Sequence, residues 1–142
     1  MDPRHITDTY AVAPQISPDD APAIRSAGYR RVINNRPDGE IGAELSAAEM
    51  RAALEAEGIE VIENPLSHGT LSMNHVDTQR TAIDEAGDGR VLAYCASGNR
   101  STILWALSMA GRIPTEEIVA RAAAAGYDLS GLTQQIDALA AR

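Results

Sequence analysis

Cysteine is almost absent from this chain, and its scarcity excludes several kinds of site. A single Cys stands among 142 residues, at position 95. One Cys cannot form an internal disulfide or a Cys-x-x-Cys redox pair, and it cannot supply the several thiolates of the usual zinc site. The sequence therefore predicts no metal centre and no cofactor, and Cys95 must act together with residues of other types.

Lysine is missing altogether. All 12 basic residues are Arg, and 20 Asp and Glu outnumber them, which gives a formal net charge of −8. An acidic chain repels polyanions, so nucleic acid is not expected as a partner. Any anion site in this chain has to use Arg side chains or backbone N–H groups.

Long apolar stretches are missing as well. No apolar run approaches the ~18 residues that indicate a membrane span. The N-terminus also has no basic region followed by an apolar segment, so no signal peptide is predicted. We therefore expect a cytoplasmic protein without membrane contact, and its length suits a single domain over 1–142.

What the chain does contain is an alternation of strand and helix patterns. Strands are predicted over 10–13, 29–34, 59–62 and 90–94. Helices are predicted from Ser17 to the stop at Gly28, from Ser46 to the stop at Gly58, and over 74–86, 100–110, 115–125 and 132–141. Strands separated by helices favour an α/β fold with a parallel sheet.

The segment that follows the fourth predicted strand has the residues of an anion site. Cys95 ends the most apolar strand, and ligands of open α/β sheets bind beyond the carboxyl ends of their strands. The next helix begins at once, and free N–H groups at a helix N-terminus bind anions and stabilise a thiolate. Gly98 lets the backbone approach an anion closely, and Arg100 offers a planar fork to two oxygens. Together these features indicate covalent catalysis by a cysteine.

The same loop carries a family resemblance. The stretch 94–101 (YCASGNRS) resembles the active loop of cysteine-dependent phosphatases and also that of single-domain rhodaneses. The segments 15–17 (QIS) and 32–40 (VINNRPDGE) resemble a bacterial family of small tyrosine-phosphatase-like domains, the β-lactamase-hydrolase-like phosphatase domains. Members of this family occur alone or beside metallo-β-lactamase-like domains.

The resemblance covers roughly 9–111 and implies a dual-specificity-phosphatase-like fold. That fold is a three-layer α/β arrangement in which helices flank a twisted, mostly parallel sheet of four or five strands. The partners that it implies are a phosphorylated substrate or an oxyanion such as phosphate or sulfate, and a metallo-β-lactamase-like protein. A rhodanese would end in a further strand, whereas 114–142 has a helical pattern.

The resemblance also implies roles for individual residues. Cys95 would attack phosphorus, and Ser101 would help the sulfur to leave. The oxygens would be held by Arg100 and by the loop backbone at Ala96, Ser97, Gly98, Asn99 and Arg100. This loop is one residue shorter than that of the phosphatases and has the rhodanese length, and Tyr94 stands where the phosphatases have His.

The resemblance assigns no residue to the role of general acid. Phosphatases of this fold use an Asp in the loop after the third strand, whereas the segment 64–70 (NPLSHGT) has none. His68 lies nearest, and histidine is the side chain that most often serves as a general acid or base near neutral pH. Asp38 and Glu40 are alternatives if their loop folds over the site, although a turn at 37–39 is their more ordinary use.

Three functions are compatible with these residues. The first is a cysteine-dependent phosphatase-like hydrolase that passes through a cysteinyl-phosphate. The second is a rhodanese-like sulfurtransferase, in which Cys95 carries a persulfide. The third is an anion-binding module without catalysis.

Overall fold

A five-stranded sheet runs through the centre of the molecule. The computed structural model describes all 142 residues. The strands are β1 (Arg4–His5), β2 (Tyr10–Ala13), β3 (Tyr29–Asn34), β4 (Glu60–Glu63) and β5 (Arg90–Tyr94), in the order β1-β2-β5-β3-β4. The pairs β2–β5, β5–β3 and β3–β4 are parallel, and β1 pairs with β2 in the antiparallel sense.

Helices cover both faces of this sheet. They are α1 (Ala21–Ser26), α2 (Ala47–Ala56), α3 (Met73–Glu85), α4 (Asn99–Ser108), α5 (Thr115–Ala124) and α6 (Thr133–Ala140). Residues of α1 and α2 share one apolar cluster with the sheet, and residues of α3 to α6 share the other. The predicted three-layer α/β fold with a mostly parallel sheet is confirmed. None of the helices is both long and apolar enough to cross a lipid bilayer.

The central position of β5 follows from its sequence. Four of its residues are fully buried, and their side chains alternate between the two apolar clusters. Val91 and Ala93 face the side of α3 to α6, whereas Leu92 and Tyr94 face α1 and α2. A strand that is apolar on both faces can bury both of them only in a sheet that is covered by helices on each side. Its carboxyl end, and Cys95 with it, is therefore held from both sides.

The structure corrects several predicted boundaries. The third predicted strand begins one residue later, at Glu60, because the N–H of Ile59 still bonds to the carbonyl of Leu54 in α2. Gly58, with a φ of +76°, makes that helix end possible. Strand β1 was not predicted, since two polar residues carry no alternation. The first predicted helix is split into a 3₁₀ turn and the short α1.

A buried polar network joins the sheet to α3 and α4 behind Cys95. The side-chain amides of Asn35 and Gln79 bond to each other reciprocally, at 3.0 and 3.2 Å. Gln79 also accepts from Asn64 at 2.9 Å and donates to the hydroxyl of Tyr10 at 3.1 Å. Tyr10 in turn donates to the carbonyl of Ser101 at 2.9 Å. Buried polar groups that bond only to one another fix the relative placement of the elements that carry them.

This network makes Gln79 important for stability. Gln79→Leu keeps the volume but removes four buried hydrogen bonds. We predict a loss of roughly 2 to 4 kcal/mol in the free energy of unfolding, measured by denaturant titration. The matched control is Gln134→Leu on the exposed face of α6, which should change stability by less than about 0.5 kcal/mol. Equal effects of the two substitutions would contradict the importance of the network.

Candidate active site

The chain turns sharply between the end of β5 and the start of α4. Cys95 follows β5 directly, is fully buried, and donates its N–H to the carbonyl of Ala13 at 3.4 Å. Gly98 has a φ of +93° and stands just before the first residue of α4. That backbone conformation suits Gly, because a side chain there would be strained. The predicted strand–loop–helix junction is therefore present, with the helix beginning at Asn99 rather than Arg100.

Two of the loop N–H groups have partners within the loop. The N–H of Gly98 donates to the Cys95 Sγ at 3.1 Å, and the N–H of Asn99 donates to the Ser97 Oγ at 3.2 Å. Within the segment 96–101, the backbone N–H groups of Ala96, Ser97, Arg100 and Ser101 make no hydrogen bond to the rest of the chain. Free donors on consecutive residues at a helix N-terminus are typical of an oxyanion cradle.

Arg100 is held in place by two acceptors. Its guanidinium makes a bidentate ion pair with Glu40, with both N–O distances at 2.8 Å, and its Nη1 also donates to the carbonyl of Leu66 at 2.7 Å. The Glu40 carboxylate raises the pKa of Arg100, and the neighbouring Cys95 acts in the same direction. Glu40 occupies the outer edge of the fork, so that the Nε of Arg100 is left for another acceptor.

The loop that carries Glu40 is itself anchored. Arg36 donates to the Glu40 carboxylate at 3.3 Å, to the carbonyl of the same residue at 3.2 Å and to the side chain of Gln15 at 3.2 Å. Asp38 accepts the N–H of Ala47 at 2.8 Å, so it serves the entry into α2. The loop does fold over the site, which was the condition for Asp38 or Glu40 to serve as the general acid. In this structure Glu40 forms an ion pair with Arg100.

Two of the predicted catalytic residues have other surroundings in this structure. The Ser101 hydroxyl donates to the Asn35 Oδ1 at 2.8 Å rather than to the Cys95 sulfur. His68 is exposed in the turn that follows Leu66, and its side chain makes no hydrogen bond. That turn lies beside the site because the Leu66 carbonyl contacts Arg100. The roles proposed for Ser101 and His68 stay predictions.

One residue at the site carried no signal in the sequence. Tyr127 lies between α5 and α6, is 6% exposed, and donates its hydroxyl to the Ser97 carbonyl at 2.8 Å. Its hydroxyl also fills the space that a side chain on Gly98 would need. An aromatic residue thirty positions beyond the loop gives no local pattern from which this contact could be predicted.

Solved structures share this architecture. A candidate phosphatase from Neisseria meningitidis superposes with a TM-score of 0.81 at 30% identity, covering 96% of each chain. Tk-PTP in its active form superposes with a TM-score of 0.77 at 18% identity, covering 99% of this chain and 97% of its own. A kinase associated phosphatase, with its catalytic cysteine substituted by serine, gives a TM-score of 0.75 at 15% identity and covers 100% and 99% of the two chains. The fold is that of the dual-specificity and tyrosine phosphatases.

Proteins of similar sequence identify a narrower family than the fold does. The β-lactamase hydrolase-like protein of Agrobacterium fabrum is 28% identical over 134 residues, which is 93% of this chain. The protein of the same name from Xylella fastidiosa is 31% identical over 126 residues, or 87% of this chain. The chain spans about a third of the length of these relatives, 31% and 29% respectively. The family model described as "Beta-lactamase hydrolase-like protein, phosphatase-like domain" matches residues 2–112, and the chain belongs to this family of phosphatase-like domains.

Proposed function

We propose that this chain is a cysteine-dependent phosphatase that hydrolyses a phosphate ester through a cysteinyl-phosphate. The observation that carries the proposal is the set of four unpaired backbone N–H groups beside Cys95 and Arg100. Donors of this number and Arg geometry fit the three terminal oxygens of a phosphoryl group. The phosphatase-like family and the phosphatase fold support the same reaction class.

The proposed reaction has two displacements at phosphorus. The Cys95 sulfur forms a bond to phosphorus while the ester P–O bond breaks, and the leaving oxygen takes a proton from an acid. The free N–H groups and the Arg100 Nε hold the three non-bridging oxygens as charge builds on them. Water then attacks phosphorus and releases phosphate and the thiolate. Ser101 would assist this second departure after its hydroxyl has turned away from Asn35.

His68 is the proposed acid. Its position two residues after Leu66 places it on the loop that contacts Arg100. The exposed turn leaves its imidazole free to meet a leaving group that projects from the Cys95 loop. In many enzymes the active-site loops close further around a bound substrate.

A second candidate function is sulfur transfer. Four residues separate Cys95 from Arg100, which is the rhodanese loop length, and the segment 64–70 has no Asp. In this reaction Cys95 takes the outer sulfur of thiosulfate as a persulfide, and sulfite leaves as an anion. No proton donor is needed, so the missing Asp would be without consequence. The metallo-β-lactamase-like partner stays a prediction.

Phosphate release separates these two reactions. We expect the protein to release phosphate from an aryl phosphate, and Cys95→Ser to lower this rate by roughly 10³-fold or more, because serine is a far weaker nucleophile than a thiolate. Phosphate release is measured directly, and vanadate should still raise the melting temperature of the variant.

Formation of a persulfide on Cys95, or binding without any reaction, would contradict the phosphatase. Incubation with thiosulfate, followed by intact-mass measurement, shows whether Cys95 gains one sulfur atom. A persulfide without phosphate release would establish the sulfurtransferase. Stabilisation by phosphate or sulfate with neither reaction would establish an anion-binding module.

The ion pair between Glu40 and Arg100 is predicted to contribute to stability. The Arg100 guanidinium lowers the pKa of Glu40 below its ordinary value of 4.5. The ionised carboxylate therefore stabilises the folded state at neutral pH, and this contribution is lost as the pH falls through the lowered pKa. We predict that Glu40→Gln costs about 1 to 2 kcal/mol at pH ~7, measured by denaturant titration.

The pH dependence distinguishes this ion pair from a packing effect. The stability difference between the native protein and Glu40→Gln should begin to shrink as the pH falls below about 4.5, where the unfolded chain takes up a proton at Glu40, and should be smallest once the pH has passed the lowered pKa of Glu40 in the folded protein. Glu44→Gln is the control, because Glu44 lies in the same loop and forms no ion pair. A difference that stays constant with pH would refute the electrostatic explanation.

The role of His68 is tested by its substitution. If His68 is the general acid, His68→Ala should slow hydrolysis of alkyl phosphates by roughly 10²- to 10⁴-fold and that of activated aryl phosphates much less, because alkoxides leave poorly. Turnover is compared for one substrate of each kind across pH, and the control is His5→Ala on the exposed strand β1. Equal turnover of both substrates before and after the substitution would remove His68 from the mechanism.

A further inference from the structure

The peptide unit between Ser97 and Gly98 is bound at both ends. The Ser97 carbonyl accepts the hydroxyl of Tyr127 at 2.8 Å. The N–H of Gly98, in the same peptide unit, donates to the Cys95 Sγ at 3.1 Å. One side chain from the far end of the chain and the reactive sulfur are thus joined through a single amide group.

The geometry of an amide makes these two bonds interdependent. A trans peptide is planar, and its C=O and N–H point in opposite directions. If the carbonyl is held towards Tyr127, the N–H is held towards the sulfur. If the peptide unit turned about its long axis, both bonds would break together.

Gly98 is the residue that allows this peptide to turn. Its φ of +93° lies in the region that favours glycine, and a residue without a side chain has the fewest conformational restrictions. The local sequence therefore does not fix the orientation of the unit. A contact from outside the loop has to do so.

Tyr127 is itself rigidly placed. Its N–H bonds to the carbonyl of Ala122 at the end of α5, and the guanidinium of Arg4 lies 5.5 Å from its ring centre. Burial raises the pKa of Tyr127 above its ordinary value of 10.0. The hydroxyl therefore keeps its proton at neutral pH and stays a hydrogen-bond donor.

We propose that Tyr127 is a positioning residue for the nucleophile: its hydroxyl orients the Ser97–Gly98 peptide so that the Gly98 N–H is held on the Cys95 sulfur and stabilises the thiolate. The proposal rests on the proposed function in one respect, the role of Cys95 as the nucleophile. It assigns a task to the segment after residue 112, which lies beyond the stretch matched by the family model.

The test is Tyr127→Phe, which removes one oxygen and keeps the ring. Without the hydroxyl the peptide can turn, and the thiolate loses a hydrogen bond worth about 1 kcal/mol. The pH at which Cys95 is alkylated at half its maximal rate by iodoacetamide should rise by about 0.5 to 1 unit. Since the chain has one Cys, alkylation followed by intact-mass measurement reports on this sulfur alone.

The matched control is Tyr29→Phe. Tyr29 is also buried and also lies against a guanidinium, that of Arg90 at 5.7 Å, but its hydroxyl makes no hydrogen bond and the residue lies at the start of β3. This control should leave the alkylation profile unchanged. Melting temperatures of both variants, with and without vanadate, establish that they are folded.

Two results would overturn the proposal. The first is an unchanged profile in Tyr127→Phe, whether or not its melting temperature falls, and the second is an equal shift in the two variants. As a second measurement, the ultraviolet absorbance of the thiolate in the neutral pH range should follow the alkylation profile. Neither readout requires turnover, so a protein that releases no phosphate would refute the proposed function and still leave this proposal to be decided by the alkylation data.

Discussion

The side chain of Asn35 is the point on which the arrangement of the site depends. It follows β3 and is fully buried, so each of its polar atoms must find a partner inside the molecule. Its amide nitrogen donates to the carbonyl of Asn64 and to Gln79, and its oxygen accepts from Gln79 and from the Ser101 hydroxyl. Its backbone N–H bonds to the carbonyl of Tyr94, immediately before Cys95. One residue thus joins β3, β5, α3 and α4 at the place where the Cys95 loop begins.

The charged residues around the site also bond to more than one partner each. The chain has no Lys and is strongly acidic, so the positive charge near Cys95 comes from Arg36 and Arg100. Both of these side chains form ion pairs with the same carboxylate, that of Glu40. Glu40 holds the outer edge of Arg100 and also accepts from Arg36. A guanidinium fixed in this way has little rotamer freedom left to lose when it meets an oxyanion, which lowers the entropic cost of binding. The carboxylate therefore orients the cation, and the four free backbone N–H groups supply the remaining donors.

Much of the fold could be predicted because its signals are local. The apolar run 90–94 and the glycines at 28, 58 and 98 mark the ends of elements, and strands β2, β3 and β5 were placed at their observed bounds. The position of Cys95, between the end of β5 and the loop before α4, followed from the same reasoning. The partners of the site residues could not be found in this way. Glu40 and Arg100 are sixty positions apart, Ser97 and Tyr127 thirty, and such pairs depend on tertiary packing that no sequence period encodes.

The strand order of the sheet has a consequence for how the chain folds during its synthesis. The central strand is the last to be synthesised: Tyr10 pairs with Val91, and Ile33 pairs with Ala93. While the chain grows from its N-terminus, β2 and β3 have no strand between them, and each exposes an unpaired edge to its surroundings. The sheet closes only when β5 has left the ribosome, and the same event delivers the thiol to its loop. A nascent chain of this protein therefore acquires Cys95 only when the strand that completes its sheet is made, and before α4 to α6 are available to cover one face of that sheet.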